Sequence, residues 1–373
     1  MFFKNEIKEI LFFTKYISLH TWMETGLLNR EVALYKRLVS KGIRIIFITY
    51  GSRKDLEYKR KLRGIKIVCN RWNLSYSRYT QYLSAIVTIL LNKNTILKSN
   101  QIKGADVALH VAKRYGLPFI ARCGYLLSEF TEKKDGVDSE QFHDACRLEK
   151  QVFNEADRIV VTTPYMKEKI RQNYSINAKK IHVIPNYVDT DLFSPNAQIK
   201  RVSNRICFIG RLEPQKNLFS LFDACHQLDV ELMIIGSGFQ ESELRKHSEQ
   251  LGLHVQFLGN LPNDRLPEYI NSSVLFILPS HYEGHPKVLL EAMSCGVPVI
   301  GTDITGIREV LSHRETGFLC GSDSADMHKA IKEVIGDIDL RKQMSINARQ
   351  EILDKYALNK IVDLELNLIK ELI

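Results

Sequence analysis

A chain of 373 residues is longer than one hydrophobic core usually serves, so two domains are expected. With 45% hydrophobic and 25% charged residues it has the proportions of a soluble globular protein, which excludes a disordered or fibrous chain. The formal net charge of +9 is unevenly placed, at +15 over residues 1–200 and −6 over 201–373.

The basic excess peaks in residues 51–100, with eleven Lys and Arg against two acids and the run KRKLR at 59–63. Such runs are usually solvated faces; the sharper expectation is contact with anionic lipid headgroups. Seven cysteines lie scattered without a CxxC pair, which argues for free thiols in a reducing compartment and against a disulfide or zinc framework. The start, MFFKNEIKEILFF, has acids inside its apolar part and makes a poor signal peptide. Leu83 to Leu91, the longest apolar run of the first half, is too short to span a bilayer. The expected location is cytoplasmic, with peripheral contact at the inner face of the plasma membrane.

Taken in chain order, Leu11 to Ile17 reads as the first strand and Gly26 opens a helix through Arg37 with apolar residues at helical spacing. Strands follow at Ile43–Thr49, Ile65–Cys69, Thr95–Lys98, Pro118–Ala121, Arg158–Thr162 and His182–Ile184. Helices lie between them at Tyr76–Leu91, Ile102–Tyr115, from about Ser139, and at Pro164–Gln172. This alternation implies a parallel sheet covered on both faces, a Rossmann-like domain. The pattern pauses near Pro185 to Pro195, so a boundary is placed near residue 190. A second series then runs through Arg205–Ile209, Asn217–Leu228, Glu231–Ile235, Glu241–Leu251, Val255–Leu258 and a helix from Asp264. The tail from Lys329 is helical in character.

Val274 to Asp303 is the most informative stretch. A strand buried on both faces, Val274–Leu278, is broken by Pro279 and Gly284. A helix opens at Pro286 and stops at Gly296, and the strand Val297–Thr302 follows. Glu283 precedes the helix, and Glu291 lies on it, four residues after Lys287 and on the same face. Between the two acids, the first-turn N–H groups of the helix form a ready anion site. A carboxylate, an anion cradle and a second carboxylate suit a nucleoside diphosphate sugar, although a lone acid at a helix start is often only a dipole partner.

EGHPKVLLEAM with GVPVIGTD behind it resembles the glutamate-x-seven-glutamate motif of glycosyltransferase family 4, the retaining group 1 glycosyltransferases. The resemblance implies an α/β GT-B fold, two Rossmann-like domains facing across a cleft, with residues 1–190 on the acceptor side and 191–357 binding the nucleotide sugar. It implies that the helix at 358–373 crosses back to the first domain. Glu283 would support the sugar, with Gly284, His285, Pro286, Lys287 and Val288 at the diphosphate and Glu291 at the ribose. RLEPQKN is similar to the family's cationic diphosphate motif, which assigns Arg211 and Lys216, after Gly210, to the leaving group. Gly236, Ser237 and Gly238 would approach a phosphate or ribose, and Leu261 the base; a tight turn and a core leucine are the alternatives.

The first domain departs from the family pattern. The loop after the first strand is HTWMETG, with Gly26 only, and RCGY, Arg122 to Tyr125, stands where many members carry a histidine. Asn100, Arg122 and Tyr125 are assigned with Gly26 to the acceptor side. Tyr187 stands where a glycine often follows the Asn of IPN. Asp189 and Asp191, in DTD, look like a metal-binding pair but sit in a connecting segment where Asp more often caps a turn. The expectation is therefore no metal and no cofactor, with a UDP- or GDP-linked sugar as co-substrate.

The implied activity is hexosyl transfer with retention to a hydroxyl of a glycan or glycolipid, as in polysaccharide or lipopolysaccharide biosynthesis. A nucleotide-sugar epimerase on the same architecture and a non-catalytic anion- or membrane-binding scaffold are the alternatives. Nucleic acid is not an expected partner, because no helix-turn-helix, zinc or RNA-recognition signature is present.

Overall fold

The computed structural model describes residues 6–373, so the first five residues of the start read above for a leader lie outside it. By internal contacts the chain divides into two units, Met1–Pro185 with Ile361–Ile373, and Asn186–Lys360. The sequence reading puts the division near 190 and the return at 358.

In the first unit, seven strands form one parallel sheet: β1 (Lys8–Phe12), β2 (Arg44–Ile48), β3 (Ile65–Val68), β4 (Thr95–Ser99), β5 (Phe119–Cys123), β6 (Arg158–Val161) and β7 (Ile181–Val183). Their order is β3-β2-β1-β4-β5-β6-β7. The connecting helices are α1 (Leu19–Glu24), α2 (Leu28–Ser40), α3 (Tyr76–Thr88), α4 (Ala105–Tyr115), α5 (Leu127–Asp135), α6 (Glu140–Glu155) and α7 (Pro164–Tyr174). Their limits follow from ordinary caps: Ser139 accepts from Phe142 N at the start of α6, and Thr163 accepts from Met166 N ahead of Pro164 in α7.

The second unit has its own parallel sheet: β8 (Val202–Ile209), β9 (Glu231–Ile235), β10 (His254–Phe257), β11 (Ser273–Leu278), β12 (Val299–Thr302) and β13 (Phe318–Cys320). The order here is β10-β9-β8-β11-β12-β13. Its helices are α8 (Leu218–Cys225), α9 (Glu241–Gln250), α10 (Leu266–Asn271), α11 (Lys287–Ser294), α12 (Thr305–Arg308), α13 (Ser324–Gly336) and α14 (Ile338–Glu351). The last helix, α15 (Leu358–Lys370), follows a π-helical turn at Ile352–Tyr356. Leu275 to Leu278 are fully buried in β11, as its unbroken apolar run requires, each contributing about 1.5–3 kcal/mol by leaving water. The fold is α/β with two Rossmann-like sheets, as expected.

Some elements differ from the reading. The first strand is Lys8–Phe12, earlier than Leu11–Ile17: Glu9 is fully buried inside it, and Tyr16, at φ 68°, cannot continue an extended strand. The helix expected from Gly26 starts at Leu28, because Gly26 turns the chain at φ 73°. Helices α1 and α12 and strand β13 are too short to show a period, and α5 buries only Ser128, so it carries no apolar stripe. Each sheet reverses its order once, at β1/β4 and at β8/β11, and loops leaving the carboxyl ends of such strands are where open α/β sheets bind ligands. No helix among the described residues is long and apolar enough to cross a membrane.

Candidate functional site

In the second unit, the loops leaving β8 and β11 meet at the switch point. Lys216, in a 3₁₀ turn (Pro214–Lys216) after β8, forms an ion pair with Glu283 in the loop after β11. Both side chains are about nine-tenths buried, at 11% and 10% exposure. Ser280 Oγ donates to the same Glu283 oxygen at 2.8 Å, and Thr302 Oγ1 donates to Ser280 O at 2.5 Å, so the carboxylate is held through β12 as well. The sequence reading gives Lys216 to the diphosphate and Glu283 to the sugar; the structure pairs them with each other.

Gln215, which that reading passes over, ties the two loops together. Its Nε2 donates to Tyr282 O at 2.8 Å, its own carbonyl accepts from His281 N at 2.9 Å, and its Oε1 accepts from Arg211 Nη2 at 3.1 Å. Arg211 is exposed and paired with Glu213 at 2.9 Å. Its guanidinium can swing to an incoming anion, whereas Lys216 is fixed.

Helix α11 starts beside Glu283. Pro286 is its N-cap, no side chain caps it and no acid stands in its first turn. Lys287 lies over the Tyr187 ring, 5.4 Å from its centroid, and Val288 is half-buried against the core. His285 is buried, its ring 5.5 Å from that of Tyr356 and its carbonyl accepting from Asn186 Nδ2 at 2.7 Å. Its side chain therefore packs inward. Gly306 in α12 lies against this loop: a Cβ there would stand 2.2 Å from Glu283 O and 2.5 Å from Gly284 O.

Glu291 is not a solvated mid-helix acid. It is 1% exposed and accepts from Asn263 Nδ2 at 2.8 Å. Asn263 follows the FLGNLP segment, in which Leu261 is half-buried against the core and Asn260 donates to Ser237 Oγ at 2.9 Å.

The glycines at 236 and 238 also have a packing reason within the chain. A Cβ on Gly236, at φ 134°, would stand 1.8 Å from Gly210 O, and one on Gly238 would stand 2.2 Å from Leu212 O. The space they leave is filled by the chain's own backbone, which pulls the loops after β8 and β9 together. Gly210 itself would bring a Cβ to 2.8 Å from the Phe208 ring. Asp189 caps a turn, its carboxylate accepting from Asp191 N at 3.3 Å and Leu192 N at 3.4 Å. All seven cysteines are free.

A separate cluster stands at the switch point of the first unit. Asn100 Nδ2 donates to Thr14 Oγ1 at 3.1 Å, and Arg122 Nη1 donates to Asn100 O at 3.3 Å. Gly124 N donates to Gln101 Oε1 at 2.9 Å. Tyr125 packs on Phe130 at 4.6 Å. The loop is anchored by a residue the sequence did not flag, Glu149 of α6, whose carboxylate accepts from Ser128 Oγ and Tyr174 OH at 2.6 Å each. Burial raises the Glu149 pKa, and those hydrogen bonds work against the rise. The structure thus brings Asn100 and Arg122 together; Gly26 lies in the turn between α1 and α2.

The family model for glycosyl transferases group 1 matches residues 189–351, and that for glycosyltransferase family 4 matches residues 30–192. This chain belongs to the group 1 glycosyltransferases. Among curated relatives, this glycosyltransferase is 26% identical to a D-inositol 3-phosphate glycosyltransferase of Acidothermus cellulolyticus over 86% of this chain and 80% of that one. It is 29% identical to the amylovoran biosynthesis glycosyltransferase AmsD of Erwinia amylovora, over 59% of this chain and 64% of that one. Among solved structures, Anabaena HepE in complex with UDP-glucose superposes with a TM-score of 0.78 at 18% identity, over 98% of this chain and 100% of that one. The GT-B fold of this glycosyltransferase is that of HepE.

Proposed function

We propose that this glycosyltransferase moves a hexose from a nucleoside diphosphate sugar to a hydroxyl of a glycan or glycolipid, with retention at the anomeric carbon. The observation that carries the reading is the buried Lys216–Glu283 pair at the β8/β11 switch point, beside the uncapped start of α11. A diphosphate at that helix start would take Lys216 as its near cation and draw Arg211 from Glu213. Glu283, kept in place by Ser280, would then face the sugar. Glu291, held by Asn263, is suited to accept from ribose hydroxyls. HepE, whose fold this chain shares, was crystallised with UDP-glucose, which makes a uridine donor the first to test.

In the reaction, the bond between the anomeric carbon and the phosphate oxygen breaks while the acceptor oxygen bonds to the same face of that carbon. The acceptor proton passes to the departing diphosphate. Lys216, Arg211 and the α11 amides neutralise the charge that builds there, which is work preorganised dipoles and cations do well. No divalent ion is needed in this scheme, and activity lost to EDTA and restored by magnesium would refute that part. In this reading Arg122 and Asn100, at the first unit's switch point, serve the acceptor, together with Tyr125 and Gly26. The basic first half fits an acceptor held at an anionic membrane surface.

The experiment is a thermal-shift panel of nucleoside diphosphates and their sugars. A ligand specific to the folded protein adds about 2.7 kcal/mol at 100 times its dissociation constant. A melting temperature unmoved by every diphosphate would overturn the donor site.

A further inference from the structure

Residues 58–105 contain ten Lys and Arg and no Asp or Glu. Helix α3, in the middle of this run, is amphipathic in an unusual sense. Its inner residues Tyr79, Leu83 and Val87 are fully buried in the same core as Ile46 and Ile48 of β2. Its outer residues Arg78, Tyr82, Ala85 and Ile89 recur at i, i+4, i+7 and i+11, and so share one stripe. Tyr82 is 56% exposed and Ile89, the residue that ends the helix, 84%. In the loop ahead of α3, Trp72 is 54% exposed, with the Arg71 guanidinium 4.3 Å from the ring centroid. Lys93 is exposed just beyond the helix.

We propose that the outer face of α3, with Trp72, docks onto an anionic lipid bilayer. A merely solvated helix face carries both signs of charge; this one presents Arg78, Tyr82 and Ile89, with Arg71 and Trp72 ahead of the helix, Lys93 beyond it and no acid between residues 58 and 105. That combination matches an interface in which Arg and Lys reach lipid phosphates, Trp and Tyr sit at headgroup level, and aliphatic residues enter the acyl boundary. A nucleic acid would use the cations and stack bases on the rings, but it would leave Ile89 in water.

The structure also moves the contact away from the run that dominates the sequence. KRKLR lies beside α1, with Lys61 Nζ 3.9 Å from Met23 Sδ. Helix α2 packs Tyr35 on Phe47, whereas α3 is buried in one core with Ile46 and Ile48, so α1 and α2 cover one face of the sheet and α3 the other. The proposal rests on the membrane-surface acceptor reading only for the sign of the lipid charge. Its test uses no turnover, so the two can fail separately.

The test is co-sedimentation of the full chain with vesicles of phosphatidylcholine plus phosphatidylglycerol, against phosphatidylcholine alone. Binding is expected only to the anionic vesicles. Tyr82→Glu and Ile89→Asp, at exposed positions, should each weaken it more than tenfold with unchanged melting temperature. Replacing Lys59, Arg60 and Lys61 with Gln should weaken it less than the fivefold or so that one interfacial cation confers. In a Trp22→Phe background, Trp72 emission should shift to the blue on binding. If that variant does not fold, brominated phosphatidylglycerol should quench the native protein, in which Trp22 is only 5% exposed. Undiminished binding by both α3 variants, binding lost through the KRKLR variant alone, or Trp72 emission unmoved in sedimented protein would each overturn the proposal. So would an RNA duplex that binds with the same dependence on Ile89.

Discussion

Lys216 and Glu283 satisfy each other, so their variants should behave in opposite ways. Lys216→Ala removes a charged hydrogen-bond donor from the diphosphate and leaves Glu283 still accepting from Ser280 Oγ. UDP affinity should fall about 10- to 100-fold, the weight of a charge-assisted hydrogen bond. Glu283→Ala frees the Lys216 ammonium for the phosphate. UDP binding should hold or tighten while turnover collapses, and calorimetric titration of both variants beside their kcat values checks the pair. Weaker UDP binding by Glu283→Ala than by Lys216→Ala would contradict the assignment.

At the scale of elements, the site depends on how closely the loops after β8 and β9 approach and on what steadies α11. Gly236→Ala places a Cβ 1.8 Å from Gly210 O, and the backbone must shift to admit it. Overpacking of this kind costs about 1–3 kcal/mol or more, which in a domain this size lowers the melting temperature by several degrees. Scanning calorimetry should show that fall, together with weaker UDP binding. Asn263→Ala removes the 2.8 Å donor to the buried Glu291 carboxylate. Stability should drop by about 1–3 kcal/mol, and binding of uridine, which lacks the phosphates, should weaken with it. Denaturant melts and a uridine titration test this.

Across the whole molecule, the chain's last helix is tied to its first strands by a charge cluster sealed from water. Lys98, in the middle of the first sheet, donates to Glu365 at 2.6 Å and stands 4.0 Å from Glu9, and all three are essentially unexposed. Neither Glu9 oxygen accepts a hydrogen bond among the described residues. Burial raises the Glu9 pKa from 4.5 to about 7, with Lys98 lowering it and Glu365 raising it. Because the folded form holds this proton more tightly than the unfolded one, Glu9 makes stability fall as pH rises from 4.5 to 7, and the loss is complete above that. Glu9→Gln keeps the neutral shape and should abolish that slope, worth on the order of 3 kcal/mol at pH 8. Unfolding curves at pH 5 and pH 8 that remain parallel to those of the native protein would refute it.

Most of the fold could be read without coordinates, because strands buried on both faces are unbroken apolar runs and the helices between them carry a 3.6-residue period and ordinary caps. RLEPQKN and EGHPKVLLEAM were legible as charges set at the ends of such strands. What a linear pattern does not contain is distance across the sheet. That Lys216 closes on Glu283, that Gly236 makes room for Gly210 O and that Asn263 reaches Glu291 are decided only when non-consecutive strands are laid side by side. The same holds for the buried Glu9 and Glu365, 356 positions apart in sequence but joined through Lys98. Local periodicity determines the elements; the order of the strands decides which charges meet out of water.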